Sequence, residues 1–173
     1  MRLVKPTIEH KQEALEFRKE HIDHNETAIH GDNGLDEAET YEGWLVRIDI
    51  VEAGKHEYLL PSSINFAVIG DRIVGIVDIR HSLNDFLLRE GGHIGYSVRH
   101  SERRKGYATE ILRMALGKCR QMGIGKILVV CDKHNLGSQK TVLNNGGVLE
   151  NEITRESGNI SLRYWICLNS CNK

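Results

Sequence analysis

Val98-Arg99-His100-Ser101-Glu102-Arg103-Arg104-Lys105-Gly106-Tyr107-Ala108-Thr109 is the stretch whose reading decides the fold of this 173-residue chain. A strand-like run, His93 to Val98, leads into it, and a long amphipathic helix begins inside it. Arg103, Arg104 and Lys105 supply positive charge, while Gly106 and Ala108 leave the backbone approachable. The first N–H groups of a helix have no intrahelical partner, and the helix dipole adds positive character there. Strand, small-residue turn and helix start therefore predict an anion cradle, suited above all to a phosphate.

Working outward, Ala108, Ile111, Leu112, Ala115, Leu116, Cys119 and Met122 keep helical spacing up to Gly123. Lys126 to Cys131 is an apolar strand that needs cover on both faces, as an inner parallel strand would. Leu136 to Asn145 predicts a shorter helix closed by Gly146-Gly147, and Val148–Ile153 with Ile160–Leu168 a final hairpin. Upstream, Ser63–Ile69 and Arg72–Ile79 flank the turn signal Gly70-Asp71 and read as an antiparallel hairpin. Asn84 to Glu90 reads as a short helix. Met1–Val4 suggests a strand, Thr7–Ile22 a helix capped by Thr7, and Tyr41–Val51 a second helix. The expected class is α/β: one domain over residues 1–173, with a mixed central sheet flanked by helices.

Net charge is −1, but it is unevenly spread. Eight carboxylates and no Lys or Arg lie between Glu20 and Val46, whereas ten basic residues lie between Arg99 and Lys140. An anionic ligand suits the second half, and the near-neutral balance argues against nucleic acid as partner. Cys119, Cys131, Cys167 and Cys171 form no CxxC pair, no run is long and apolar enough for a membrane span, and the charged N-terminus is no signal peptide. A cytoplasmic location without membrane association is expected. His21, His24 and His30 read as helix-end histidines, since no further ligand has metal-site spacing, and no metal is expected.

Two common phosphate loops do not fit. No Gly-x4-Gly-Lys-Ser/Thr run exists, and Gly123-Ile124-Gly125 has Leu128 where a dinucleotide fingerprint needs its third glycine. What remains is Arg-x-x-Gly-x-Ala at Arg103, Gly106 and Ala108, followed by Asn135 and Ser138 just past the next strand and by Gly146. On these residues the segment from Gly92 to Gly147 resembles the acetyl-CoA-binding core of the GNAT superfamily of N-acetyltransferases.

The resemblance implies acetyl-CoA as co-substrate. The N–H groups around Arg104 to Thr109, with Arg103, Lys105, Gly106, Tyr107 and Ala108, would take its pyrophosphate, and Lys133 and Lys140 are further phosphate contacts. The pantetheine arm would run along the backbone of Tyr96 to Val98, with Asn135 and Ser138 opposite and an oxyanion donor near Val98. Many relatives protonate the departing sulfur with a Tyr seven residues after the Asn, and that position here is Val142. Ser138, a water or Tyr107 could act instead. For a base, His93 comes first, ahead of Tyr96, Asp132 and His134, because an unperturbed imidazole titrates near ~6.5. Asp23, Glu26, Asp36, Glu37 and Glu39 either attract a cationic amine or form a solvated face. The expected acceptor is a small-molecule or peptide amine, and a homodimer through the C-terminal strands is compatible with the sequence. A non-catalytic coenzyme A or acyl-CoA sensor, and an interaction domain without ligand, are the alternatives.

Overall fold

A computed structural model describes residues 1–26 and 28–168; Cys171 lies outside the described residues. Four strands, β1 (Arg2–Val4), β2 (Ser62–Ile69), β3 (Arg72–Arg80) and β4 (Ile94–Val98), form one sheet in that order. A second sheet has the order β5-β7-β6, built from β5 (Lys126–Asp132), β6 (Val148–Thr154) and β7 (Ile160–Cys167). The helices are α1 (Lys11–Asp23), α2 (Tyr41–Glu52), α3 (Tyr107–Gln121) and α4 (Leu136–Asn144).

Alternation along β2 and β3 sends successive side chains to opposite faces, and both faces are covered. Phe66 and Ile76 join Phe17 of α1 and Trp44 of α2 in one buried cluster. Val77 and Ile79 join Ile111 and Leu112 of α3, Ile127 and Val129 of β5, and Tyr164 of β7 in the other. α3 supplies Ile111, Leu112, Ala115, Leu116 and Cys119 to that core, the stripe its sequence spacing predicts.

The α/β class with helices flanking the sheets is as expected, and four details differ. The predicted mixed sheet is two sheets whose ladders all run antiparallel. β5 is no inner parallel strand: it pairs antiparallel with β7 on one side and meets the first sheet through a single bridge, Gly92 to Val129. An apolar run reports burial on both faces and carries no information on the direction of its neighbour. The helix expected over Asn84–Glu90 is mainly a π turn, Leu87–Gly91, and the one expected from Thr7 opens with a 3-10 turn, Ile8–His10. No helix among the described residues is long and apolar enough to cross a membrane.

Candidate active site

The site grows from the place where the two sheets part. At the start of β4, His93 N–H donates to Leu128 O (2.7 Å), while His93 Nδ1 accepts from Leu128 N–H (3.0 Å). The imidazole thus does the work of a strand carbonyl, and its neutral ring carries the proton on Nε2. Burial, with a smaller contribution from the Arg80 charge, pushes its pKa down. His93, expected as a general base, therefore pins the closed end of the gap between β4 and β5, and Nε2 is a donor, not a proton acceptor.

Past this pin the outer edge of β4 has no strand partner among the described residues. Arg99 N–H bonds to Val74 O on the β3 side (2.9 Å), so strand alternation turns the main-chain groups of Tyr96 and Val98 toward the gap. Val98 O is already engaged by Arg103 Nε (3.1 Å).

β4 then runs into the cradle. Arg104 (φ 63°) and Gly106 (φ 82°) both take left-handed backbone, and α3 starts at Tyr107. Nothing lies within 4 Å of where a Cβ on Gly106 would stand, so the concavity is open. Successive N–H groups in such a turn, followed by a helix N-terminus, make an anion-binding nest. Arg104 has no ion-pair partner among the described residues, whereas Lys105 lies 2.7 Å from Glu102. Tyr107 and Ala108 rest partly buried on the α3 core, so Tyr107 belongs to the packing, and Thr109 O accepts from Asn145 Nδ2 (3.1 Å).

Arg103 does not extend into that nest. Its guanidinium lies 2.7 Å from Glu26, which also meets His21 Nδ1 (2.7 Å) and His100 Nδ1 (3.4 Å). Burial alone would raise the Glu26 carboxyl, but hydrogen bonds from Arg103 and His21 outweigh it and hold its pKa at about 2. One turn back, the buried Arg99 sits between Glu13 (3.0 Å) and Glu20 (3.0 Å), and Ser101 N–H donates to Glu20 (2.6 Å). Glu20 and Glu26 of the acidic segment thus pair with the residues that flank the cradle, and Asp23 pairs with Lys19. The sequence carries no local signal for these contacts, because Glu13 to Arg99 spans 86 residues.

Across the gap, β5 leads to Asn135, whose Oδ1 accepts Ser138 N–H (2.9 Å) and caps α4. Ser138 Oγ meets the Tyr96 hydroxyl at 2.8 Å, so the first turn of α4 and the open edge of β4 are joined across the gap. Val142, one turn on, is fully buried against Gly147. Burial raises the Tyr96 phenol, opposed by its hydrogen bonds to Ser138 and Thr141. Lys133 pairs with Glu152 (2.6 Å) instead of standing open to a phosphate, and Lys140 is exposed. Asp132 Oδ1 accepts His134 N–H (2.7 Å), which shapes the turn before α4.

The opposite face of β4 is covered by the α1–α2 connection. A Cβ on Gly31 would lie 2.2 Å from Gly95 O, so only glycine lets this loop settle on the strand. Beside it Asp32 is buried, accepting from Gly34 N–H (3.1 Å) and Asp36 N–H (2.7 Å). Burial, with the like charge of Asp36, pushes its carboxyl up to about 7 against those backbone hydrogen bonds. The glycine-rich run from Gly31 to Gly34 is the local signal the sequence carries for this loop. Among the described residues no group of three or more His, Cys, Asp or Glu is placed to hold a metal ion.

No curated protein matches the sequence. Solved structures share the fold at low identity. MccE, the Microcin C7 self-immunity acetyltransferase in complex with acetyl-CoA and AMP, superposes with a TM-score of 0.68 at 16% identity, covering 95% of this chain and 91% of its own. The ribosomal-protein-S5-alanine acetyltransferase of Vibrio fischeri gives 0.68 at 18%, covering 99% and 94%. Mycobacterium smegmatis RimJ, in complex with CoA-disulfide, gives 0.72 at 15%, covering 99% and 83%. The profile of the acetyltransferase (GNAT) domain matches residues 1–148, most of the chain. With that match and a gap leading into an open cradle, the chain belongs to the GNAT acetyltransferase family.

Proposed function

We propose that the chain transfers acetyl from acetyl-CoA to the primary amine of a small molecule or peptide by direct attack. The observation that carries this reading is the unpaired edge of β4 running into the open cradle at Arg104–Gly106, with Ser138 facing that edge through Tyr96. The fit is chemical. Main-chain groups of Tyr96 and Val98 would receive the amides of the pantetheine arm as an added strand, and Asn135 retains Nδ2 as a donor for a carbonyl. The N–H groups from Arg104 to Thr109, with the Arg104 and Lys105 charges, would take the pyrophosphate. Arg103 acts from outside the nest, bracing it against Glu26 and Val98 O.

Bound acetyl-CoA supplies an already activated thioester, so the protein has to orient the donor, admit a neutral amine and return a proton to sulfur. Ser138 is the proton donor in this reading, His93 keeps the gap closed at one end, and the loop at Gly31 forms the acceptor side. A cytoplasmic setting belongs to the same reading and is supported by free, buried thiols at Cys119 and Cys131.

Two measurements test it. Acetyl-CoA at about 100 times its Kd should stabilise the fold by about 2.7 kcal/mol, raising Tm by about 5 to 11 °C at this size. Free thiol should then appear when a panel of amines is supplied. The buried Val142 favours one rival, a non-catalytic acyl-CoA sensor. Stabilisation without thiol release from any amine selects the sensor, and no stabilisation removes both.

A further inference from the structure

Val142 leaves helix α4 without the phenol that could face a departing sulfur, yet a phenol is present at this place. It comes from the strand. Tyr96 lies on the α3 side of β4, among the partly buried residues packed on the core that holds Cys131 and Val142. Its hydroxyl meets Ser138 Oγ at 2.8 Å, one helical turn before Val142. Ser138 is itself fixed, because its N–H is held by the Asn135 cap at 2.9 Å. Either hydroxyl of the Tyr96–Ser138 pair can be the donor, so a proton can pass from Tyr96 to Ser138 Oγ.

We propose that Tyr96 is the positioning residue for the acid: its hydroxyl holds Ser138 Oγ and refills it with a proton as Ser138 protonates the departing coenzyme A thiolate. This rests on the acetyl-transfer reading above. The step balances. The amine nitrogen bonds to the acetyl carbon, the carbon–sulfur bond breaks, and its electron pair stays on sulfur. The Ser138 Oγ proton goes to sulfur, the Tyr96 proton moves to Oγ, and the proton shed by nitrogen returns to Tyr96 through solvent. No oxidant or further co-reactant is needed. Burial keeps the Tyr96 phenol protonated at neutral pH, so the proton to be passed on is present before the step.

The test uses the whole chain in three forms: wild type, Tyr96→Phe, which keeps the ring and its packing, and Ser138→Ala. The first readout is the ultraviolet absorbance of the thiolate of bound coenzyme A against pH, with no turnover. A hydroxyl pair aimed at sulfur stabilises the thiolate, so the bound thiol should ionise at lower pH in the wild type than in either variant. The second is kinetic. kcat should fall about 10²-fold or more in Ser138→Ala and by a similar factor in Tyr96→Phe, with KM for acetyl-CoA unchanged. The double variant should lose little more than either single one, and acyl donors with a more acidic thiol should recover rate in both. Binding of coenzyme A with an unaltered thiol titration and unaltered kcat in Tyr96→Phe overturns the relay and leaves acetyl transfer standing. Failure of the wild type to bind coenzyme A overturns the acetyl-transfer reading and the relay with it.

Discussion

Two turns leave the mouth of the gap, and they are built in different ways. The β5–α4 turn is local: Asp132 receives His134 N–H, Asn135 receives Ser138 N–H, and Gln139 Nε2 reaches Lys133 O, all within six residues. The β4–α3 turn is held from far away. Glu13, Glu20 and Glu26 grip Arg99, Ser101 and Arg103 over separations of 77 to 86 residues. A short capped turn needs little help. A turn with left-handed backbone at Arg104 and Gly106 needs support from outside itself, and here α1 and the acidic segment supply it.

Replacing Arg99 tests the long-range half of the contrast most severely. Arg99→Ala leaves Glu13 and Glu20 facing each other without their buried cation, which should cost about 3–5 kcal/mol. Thermal unfolding should show a loss of about 6 to 20 °C. Preserved stability would mean that α1 does not anchor the cradle. A smaller loss, about 1–2 kcal/mol, is expected for Gly106→Ala, entirely conformational because the space beside Gly106 is open. Calorimetry of coenzyme A binding should show a further loss, since the new methyl enters the concavity.

Asn135→Ala probes the local turn. It should cost about 1 kcal/mol through the lost cap of α4. Hydrogen exchange should rise in the first turn of α4 and stay unchanged at Ser101 and Arg103; a change there would show that the two turns are coupled after all. The effect expected at Glu26 depends on pH. Its folded pKa, about 2, lies below the ordinary 4.5. Its contribution is therefore complete above about pH 4.5 and is lost as pH falls toward 2. In Glu26→Gln that part of the acid limb should flatten in denaturant titrations across this range; an unchanged limb would leave Glu26 without a stabilising role.

Much was legible in the sequence where the signal is local. The β2–β3 hairpin follows from alternation around Gly70-Asp71, α3 from its apolar stripe, and the cradle from charges beside Gly106. The partners of those pieces were not legible. His93 looked like a base because its intrinsic pKa suits one, but a ring nitrogen placed against Leu128 N–H is a strand contact. Val142 looked like a missing acid, because nothing in the spacing of α4 shows Tyr96 arriving from β4. The apolar run of β5 read as a parallel inner strand, and only the pairing with β7 shows otherwise.

The sequence by itself determined the turn between β4 and α3, since glycine at a left-handed position and a helix start are properties of consecutive residues. Tertiary structure alone decided what surrounds that turn: which carboxylates brace it, that His93 pins the gap, that Gly31 lays a loop on β4, and that Tyr96 meets Ser138. The physical reason is distance along the chain. Backbone preference and helix capping act over a few residues, whereas ion pairs and side-chain hydrogen bonds joining residues 35 to 86 apart exist only after the sheets and helices have packed.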